Sequence, residues 1–307
     1  ERAIRLFGDL PIYVAHDSAD VWAHPELFFL DAQGSPTVVA GVPPDYFSET
    51  GQRWGNPLYR WDTMRANGYR WWTQRFERVF TLFDIVRLDH FRAFAAYWEI
   101  PAAEPTAVNG RWVDGPGAAL FDAVRERLGR LPLVAENLGL ITDDVTQLME
   151  RCSFPGMAVM QFAFDESPDH LFLPHNYAPG LVAYTGTHDN DTLIGWWMNA
   201  AGTHTPEQIA RERAFALRYL GLDEDDIQDL PWRCIRLLLA SVARLVVTPV
   251  QDVLGLGSRS RMNTPGREAD NWRWRLHPGQ LTGAHAERLR TLTQLYGRAA
   301  NRQPPEG

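Results

Sequence analysis

Arg87-Leu88-Asp89-His90 closes an apolar run that begins at Ile85, and Ala135-Glu136-Asn137-Leu138-Gly139 closes one that begins at Leu131. Thr185-Gly186-Thr187-His188-Asp189-Asn190 does the same for a run that begins at Leu181. A short apolar run that ends in polar residues is the pattern of a strand covered on both faces, as parallel sheets require. Leu6 to Val14, Met157 to Phe164 and Leu245 to Leu254 read the same way. Helical periodicity separates these runs, over Tyr69 to Phe83, Pro116 to Leu128, Thr142 to Arg151, Pro206 to Tyr219 and Trp232 to Arg244. Thr142 suits a helix N-cap, with Asp143 and Asp144 in the first turn where the dipole favours negative charge. Gly129 and Pro132 bracket the end of the preceding helix. The alternation predicts an α/β fold with a parallel sheet and right-handed crossovers.

Closure of such a sheet gives a barrel, and the familiar closed form has eight strand-helix units. Six are legible here, and the sequence opens with Glu1 and enters a strand within a few residues. The expectation is therefore a (β/α)8 TIM barrel with insertions that lacks its first two strands. Residues 1–307 would be the catalytic barrel portion, strands 3 to 8, with 18–80 an insertion that carries an active-site loop. An open six-stranded sheet stays as the alternative.

The balance of 30 basic against 38 acidic residues gives a net charge of −8 with no basic stripe, which speaks against nucleic acid and anionic membranes as partners. No apolar run reaches the ~20 residues of a membrane helix and no signal-like segment is present, so a cytoplasmic location is expected. Cys152 and Cys234 lack metal-type spacing and read as buried thiols. The acidic run Asp223 to Asp226 lacks the glycine and spacing of a calcium loop. His16, Asp17 and His24 lack a clustered second histidine. Neither a metal nor a cofactor is implied. Asp9, at the end of the first visible strand, reads equally as a support of a site and as a structural residue.

Of the 12 Trp residues, Trp71, Trp72 and Trp98 read as packing residues. Tyr46, Phe47, Trp54, Tyr59 and Trp61 lie among Gly, Pro and polar residues, the composition of a loop, where exposed aromatic faces more often bind something.

Two stretches are specific enough to carry a resemblance. Val42-Pro43-Pro44-Asp45-Tyr46-Phe47-Ser48-Glu49-Thr50-Gly51-Gln52-Arg53-Trp54-Gly55-Asn56-Pro57-Leu58-Tyr59 and Tyr184-Thr185-Gly186-Thr187-His188-Asp189-Asn190-Asp191-Thr192 resemble the 4-alpha-glucanotransferases called amylomaltases or disproportionating enzymes. The likeness runs from Gly8-Asp9-Leu10 to Asn271-Trp272-Arg273-Trp274. It implies a barrel of the alpha-amylase clan and retaining transfer of alpha-1,4-glucan segments between maltooligosaccharides or starch-type glucans, donor and acceptor being the partners. It further implies Asp89 as nucleophile, Glu136 as general acid/base and Asp189 as the carboxylate that binds and distorts the sugar. Arg87 would hold Asp89 ionised from the same strand face, and His188 would bond sugar hydroxyls. Tyr46, Phe47 and Trp54 would stack on acceptor sugars, with Asp45 and Gln52 as hydrogen-bonding residues. Asn263, in the loop after the last strand, would lie near the donor.

Elementary geometry agrees with a retaining reaction. Neighbouring strands lie about 4.8 Å apart, so carboxylates at their ends can reach the ~5 to 5.5 Å of a retaining pair, not the ~6.5 to 9.5 Å of an inverting one. The acid must start protonated while the nucleophile stays ionised. One departure from the family pattern stands out: Asn137 follows the acid where Asp is common, which removes one influence that raises the acid's pKa. A hydrolase of the same clan would use the same trio, and a glucan-binding chain without catalysis is the rival from another class. The missing N-terminal part of the protein counts as a further partner, since an incomplete barrel leaves unpaired strand edges. Little transferase activity is expected from the isolated chain without it.

Overall fold

The computed structural model describes residues 4–299 except Tyr46, Phe47, Leu140, 200–204 and Glu268. The chain divides into two compact units, Glu1–Met157 and Ala158–Gly307. Its strands are β1 (Phe7–Pro11), β2 (Val38–Val42), β3 (Gln52–Pro57), β4 (Ile85–Asp89), β5 (Ala96–Pro101), β6 (Arg111–Asp114), β7 (Leu133–Ala135), β8 (Met157–Val159), β9 (Val182–Tyr184) and β10 (Leu245–Val247). The six runs read as strands are all present and all shorter than their apolar stretch. They form two three-stranded sheets, of order β1-β4-β7 and β10-β9-β8.

In the first unit β4 lies between β1 and β7 and runs parallel to both. Helix Arg70–Phe80 supplies the crossover from the segment after β1. It buries Trp71, Trp72, Phe76 and Val79, a spacing that lines one helical face. Helix Asp143–Cys152 begins after Thr142, whose extended backbone is that of an N-cap. The Thr142 hydroxyl, however, bonds the Asp144 carboxylate rather than a backbone amide. Val145, Leu148 and Cys152 form its buried stripe.

Tyr59 is 0% exposed and Trp61 7%, so neither belongs to an exposed binding loop. The Tyr59 hydroxyl donates to the Ile12 carbonyl at 2.6 Å, and its ring packs on Phe28, Trp61, Trp71 and Trp72. Their polar sequence neighbours hid a core position that only distant contacts create.

The same unit carries an antiparallel sheet of order β3-β2-β5-β6 that the sequence reading lacks. Trp54, expected in a loop, is a strand residue of β3, whose Gln52 and Arg53 pair antiparallel with Val42 and Gly41 of β2. Gly41 is demanded there, because a Cβ would stand 2.2 Å from the Gln52 carbonyl oxygen.

The second unit packs helices Leu193–Asn199, Pro206–Leu220 and Leu230–Ala240 beside its sheet. Its last strand is much shorter than the Leu245 to Leu254 run: Pro249 stops β10 and opens helix Val250–Val253. Both cysteines are free buried thiols. No helix among the described residues is long and apolar enough to cross a membrane.

Candidate active site

Parallel pairing aligns Leu88 of β4 with Ala135 of β7, so Asp89 and Glu136 each stand one residue further on, at adjoining strand ends. Arg87 and Asp89 alternate onto the same strand face. The Arg87 guanidinium uses that placement twice: Nη2 lies 2.7 Å from Asp89 Oδ1, while Nη1 donates to both Asp9 oxygens at 2.9 and 2.7 Å. Burial alone would pull the Arg87 pKa down, but Asp89, Asp9 and Glu136 together outweigh it and raise it. The arginine is therefore a permanent cation, and the ion pair favours the carboxylate form of Asp89.

Glu136 sits differently. Only 8% exposed, it accepts from the Leu138 amide through Oε1 at 2.7 Å and from the His90 amide through Oε2 at 2.9 Å. Burial is the main influence that pushes its pKa up to about 7; Arg87 opposes and Asp89 assists. The pKa elevation thus survives the neutral residue at 137. Asn137 instead accepts from the Met157 amide at 2.8 Å and packs where a Cβ on Gly156 would meet its oxygen at 2.8 Å.

His90 takes up a left-handed backbone conformation, φ 51°, which turns its amide toward Glu136. Its ring pKa is pushed down to about 3, by burial first and by Arg92 and Arg87 next, so the imidazole is neutral. The Trp54 indole meets that ring edge-on at 4.7 Å and donates to Gln52 Oε1 at 3.1 Å. Trp54 keeps 38% of its surface exposed. Asp45 accepts from the Ser48 amide at 2.9 Å, so its carboxylate fastens its own turn. Tyr46 and Phe47 lie outside the described residues.

In the second unit, Asp189 follows β9 within a tight turn in which the Thr187 amide and hydroxyl donate to Asn190 Oδ1 at 2.8 and 2.9 Å. Asn263 donates to Asp189 Oδ1 at 2.6 Å, and His188 Nε2 is 3.4 Å from Oδ2. Arg261 donates to the Asp189 carbonyl at 2.5 Å. The structure thus gathers Arg87, Asp89, Glu136, Trp54 and Gln52 in the first unit and His188, Asp189 and Asn263 in the second. Sequence reasoning missed His90, Arg261 and Asp252. His90 adjoins Asp89 and Arg261 lies two residues before Asn263, whereas Asp252 was hidden inside an assumed strand.

The sequence profile described as 4-alpha-glucanotransferase matches residues 1–282. The chain belongs to that family. It is 56% identical over 300 residues to the 4-alpha-glucanotransferase of Thermus thermophilus, an alignment that covers 96% of this chain and 58% of the relative. The Synechocystis 4-alpha-glucanotransferase is 50% identical over 301 residues, with 97% and 58% covered. The chain therefore spans somewhat over half the length of these family members. Among solved structures, the amylomaltase of Streptococcus agalactiae in complex with acarbose superposes with a TM-score of 0.88 at 40% identity, covering 96% of this chain and 58% of that one. The α/β architecture is thus that of an amylomaltase.

Proposed function

We propose that the chain carries the catalytic residues of a retaining 4-alpha-glucanotransferase, which moves alpha-1,4-linked glucan segments between maltooligosaccharides through a covalent glycosyl intermediate. One observation carries this reading: two carboxylates at adjoining strand ends are held in opposite environments. Asp89 is clasped by a permanent cation, while Glu136 is buried and raised to about 7. A carboxylate paired with a fixed cation, beside one that burial raises, suits divided nucleophile and acid roles.

Glu136 donates its proton to the glycosidic oxygen as Asp89 attacks the anomeric carbon, and the C–O bond to the leaving glucan breaks. The acceptor hydroxyl then attacks that carbon, Glu136 takes its proton, and Asp89 leaves. Asp189, steadied by Asn263 and His188, binds hydroxyls of the distorted donor sugar. Trp54 offers an exposed indole face for acceptor stacking, which favours transfer over water. His90, neutral at working pH, adds no charge beside the pair.

Family membership also supports the reading of a (β/α)8 barrel, the six strands read from the sequence being strands 3 to 8, with 1–307 as its catalytic portion and 18–80 as an insertion. The acidic balance and two free buried thiols support a cytoplasmic setting. Incubation of the full-length protein that contains this chain with pure maltotriose, and separation of products by size, tests the function. A ladder of longer oligomers is expected. Glucose and maltose alone mean a hydrolase, and unchanged maltotriose means a chain that only binds glucan.

A further inference from the structure

Asp252 is 1% exposed, at the third position of helix Val250–Val253, just past β10. Its two oxygens reach two different places. Oδ2 accepts from the Thr185 hydroxyl at 2.7 Å, one residue beyond β9, and Oδ1 accepts from the Leu193 amide at 2.8 Å, the first residue of helix Leu193–Asn199. Between those points lies the segment 185–193, which contains His188 and Asp189. We propose that Asp252 is a positioning residue for Asp189: one buried carboxylate pins both ends of the segment that presents it.

The inside of that segment is already stiff. Asn190 ties back to Thr187 through two hydrogen bonds, and the Asp189 amide donates to Thr187 Oγ1 at 3.2 Å. A stiff turn still moves as a body unless its ends are fixed. Near its far end, Asp191 also accepts from Ser258 Oγ at 2.6 Å and its carbonyl accepts from Gln161 Nε2 at 2.8 Å, so Asp252 shares that end and adds the tie at the strand side. Parallel pairing of Val247 with Tyr184 brings the Asp252 helix to that end.

Burial of a carboxylate is expensive unless its lone pairs are satisfied, and an apolar residue here would avoid that penalty. No apolar side chain, however, could accept at two points. The fold keeps the carboxylate where it joins two elements that flank a functional turn. Misplacement of a catalytic or substrate-positioning group by about 1 Å lowers turnover on the order of 100-fold.

The inference rests on the role proposed for Asp189, and the experiment separates the two. Kinetics on maltotriose would compare wild type, Asp252→Ala, Asp252→Asn, Thr185→Val, Asp189→Asn and the Asp252→Ala/Asp189→Asn double variant. Hydrogen exchange of the 185–193 amides would be followed in each protein. For Asp252→Ala we expect kcat to fall roughly 100-fold with KM changed less than about threefold. We also expect exchange across 185–193 at least about tenfold faster, with β10 itself unchanged. Asp252→Asn should recover most of the rate, because its carbonyl accepts from Leu193 while its amide donates to Thr185 Oγ1. Thr185→Val frees one end only and guards against misfolding of the alanine variant; it should show the same effects at smaller size.

In the Asp189→Asn background, Asp252→Ala should cause little further loss in turnover. Unchanged exchange in Asp252→Ala, or an equal loss with and without Asp189, overturns the positioning role. Full activity of Asp189→Asn instead overturns the function assigned to Asp189, and the exchange data still decide whether Asp252 pins the segment.

Discussion

The two groups of candidate catalytic residues are built from different materials. Around Asp89 and Glu136 the fold uses charge and burial: a cation shared between Asp9 and Asp89, and a glutamic acid starved of water. Around Asp189 it uses directed hydrogen bonds: Asn263 on the carboxylate, Arg261 on the main-chain carbonyl, and the Thr187–Asn190 pair that fastens the turn. The first arrangement governs where protons reside. The second governs where an atom sits. Substitutions should therefore alter pH behaviour in one group and rate alone in the other.

The largest break is expected from Glu136→Gln, which removes the only proton the mechanism can give to the leaving glucan. Turnover on maltotriose should fall about 10²- to 10⁴-fold, with the remaining rate independent of pH through the neutral range. Retention of the wild-type pH limb in this variant would place the acid elsewhere.

In the unsubstituted protein, Glu136 must be protonated to act. Because its pKa is pushed up to about 7, kcat/KM should decline as pH rises through that value. The slope should approach tenfold per pH unit. A plateau extending beyond pH 9 contradicts the assignment.

A smaller effect sharpens the contrast. Asn263→Ala deletes one hydrogen bond to a carboxylate, worth about 1.5 to 3 kcal/mol, so kcat should drop roughly 10- to 100-fold while the pH limb stays in place. A shifted limb would mean that the second group also manages protons. Smallest in rate is Trp54→Ala, for which glucose release relative to chain transfer should rise a few-fold as water gains access to the intermediate. An unchanged ratio with a lower total rate would assign Trp54 to binding alone.

How much of this was readable from residue order depends on the range of the forces involved. The parallel strands and the helices between them announce themselves because their apolar period is local; helix Arg70–Phe80 matched its expected span within a few residues. The antiparallel sheet did not, because Gln52–Pro57 and Arg111–Asp114 are largely solvent-facing, so their pairing is decided by partners far along the chain. The three carboxylates and Arg87 were visible as strand-end residues. The tie from Arg87 to Asp9 followed only once β1 and β4 were known to be neighbours. Asp252 stayed hidden because Pro249 was passed over as a strand breaker and helix opener.

The amide of His90 has a last implication. It holds the Glu136 carboxyl with a main-chain group, so replacement of the imidazole by another ring or by a methyl keeps the donor itself. A survey that trims side chains one by one would read at position 90 the ring's contact with Trp54 and overlook the amide's part in holding Glu136, the proposed proton donor. Only proline deletes that N–H, and proline's ring forbids the positive φ held there. The contact is thus hidden from ordinary mutagenesis and is best reached by backbone chemistry, such as an ester in place of the Asp89–His90 peptide link.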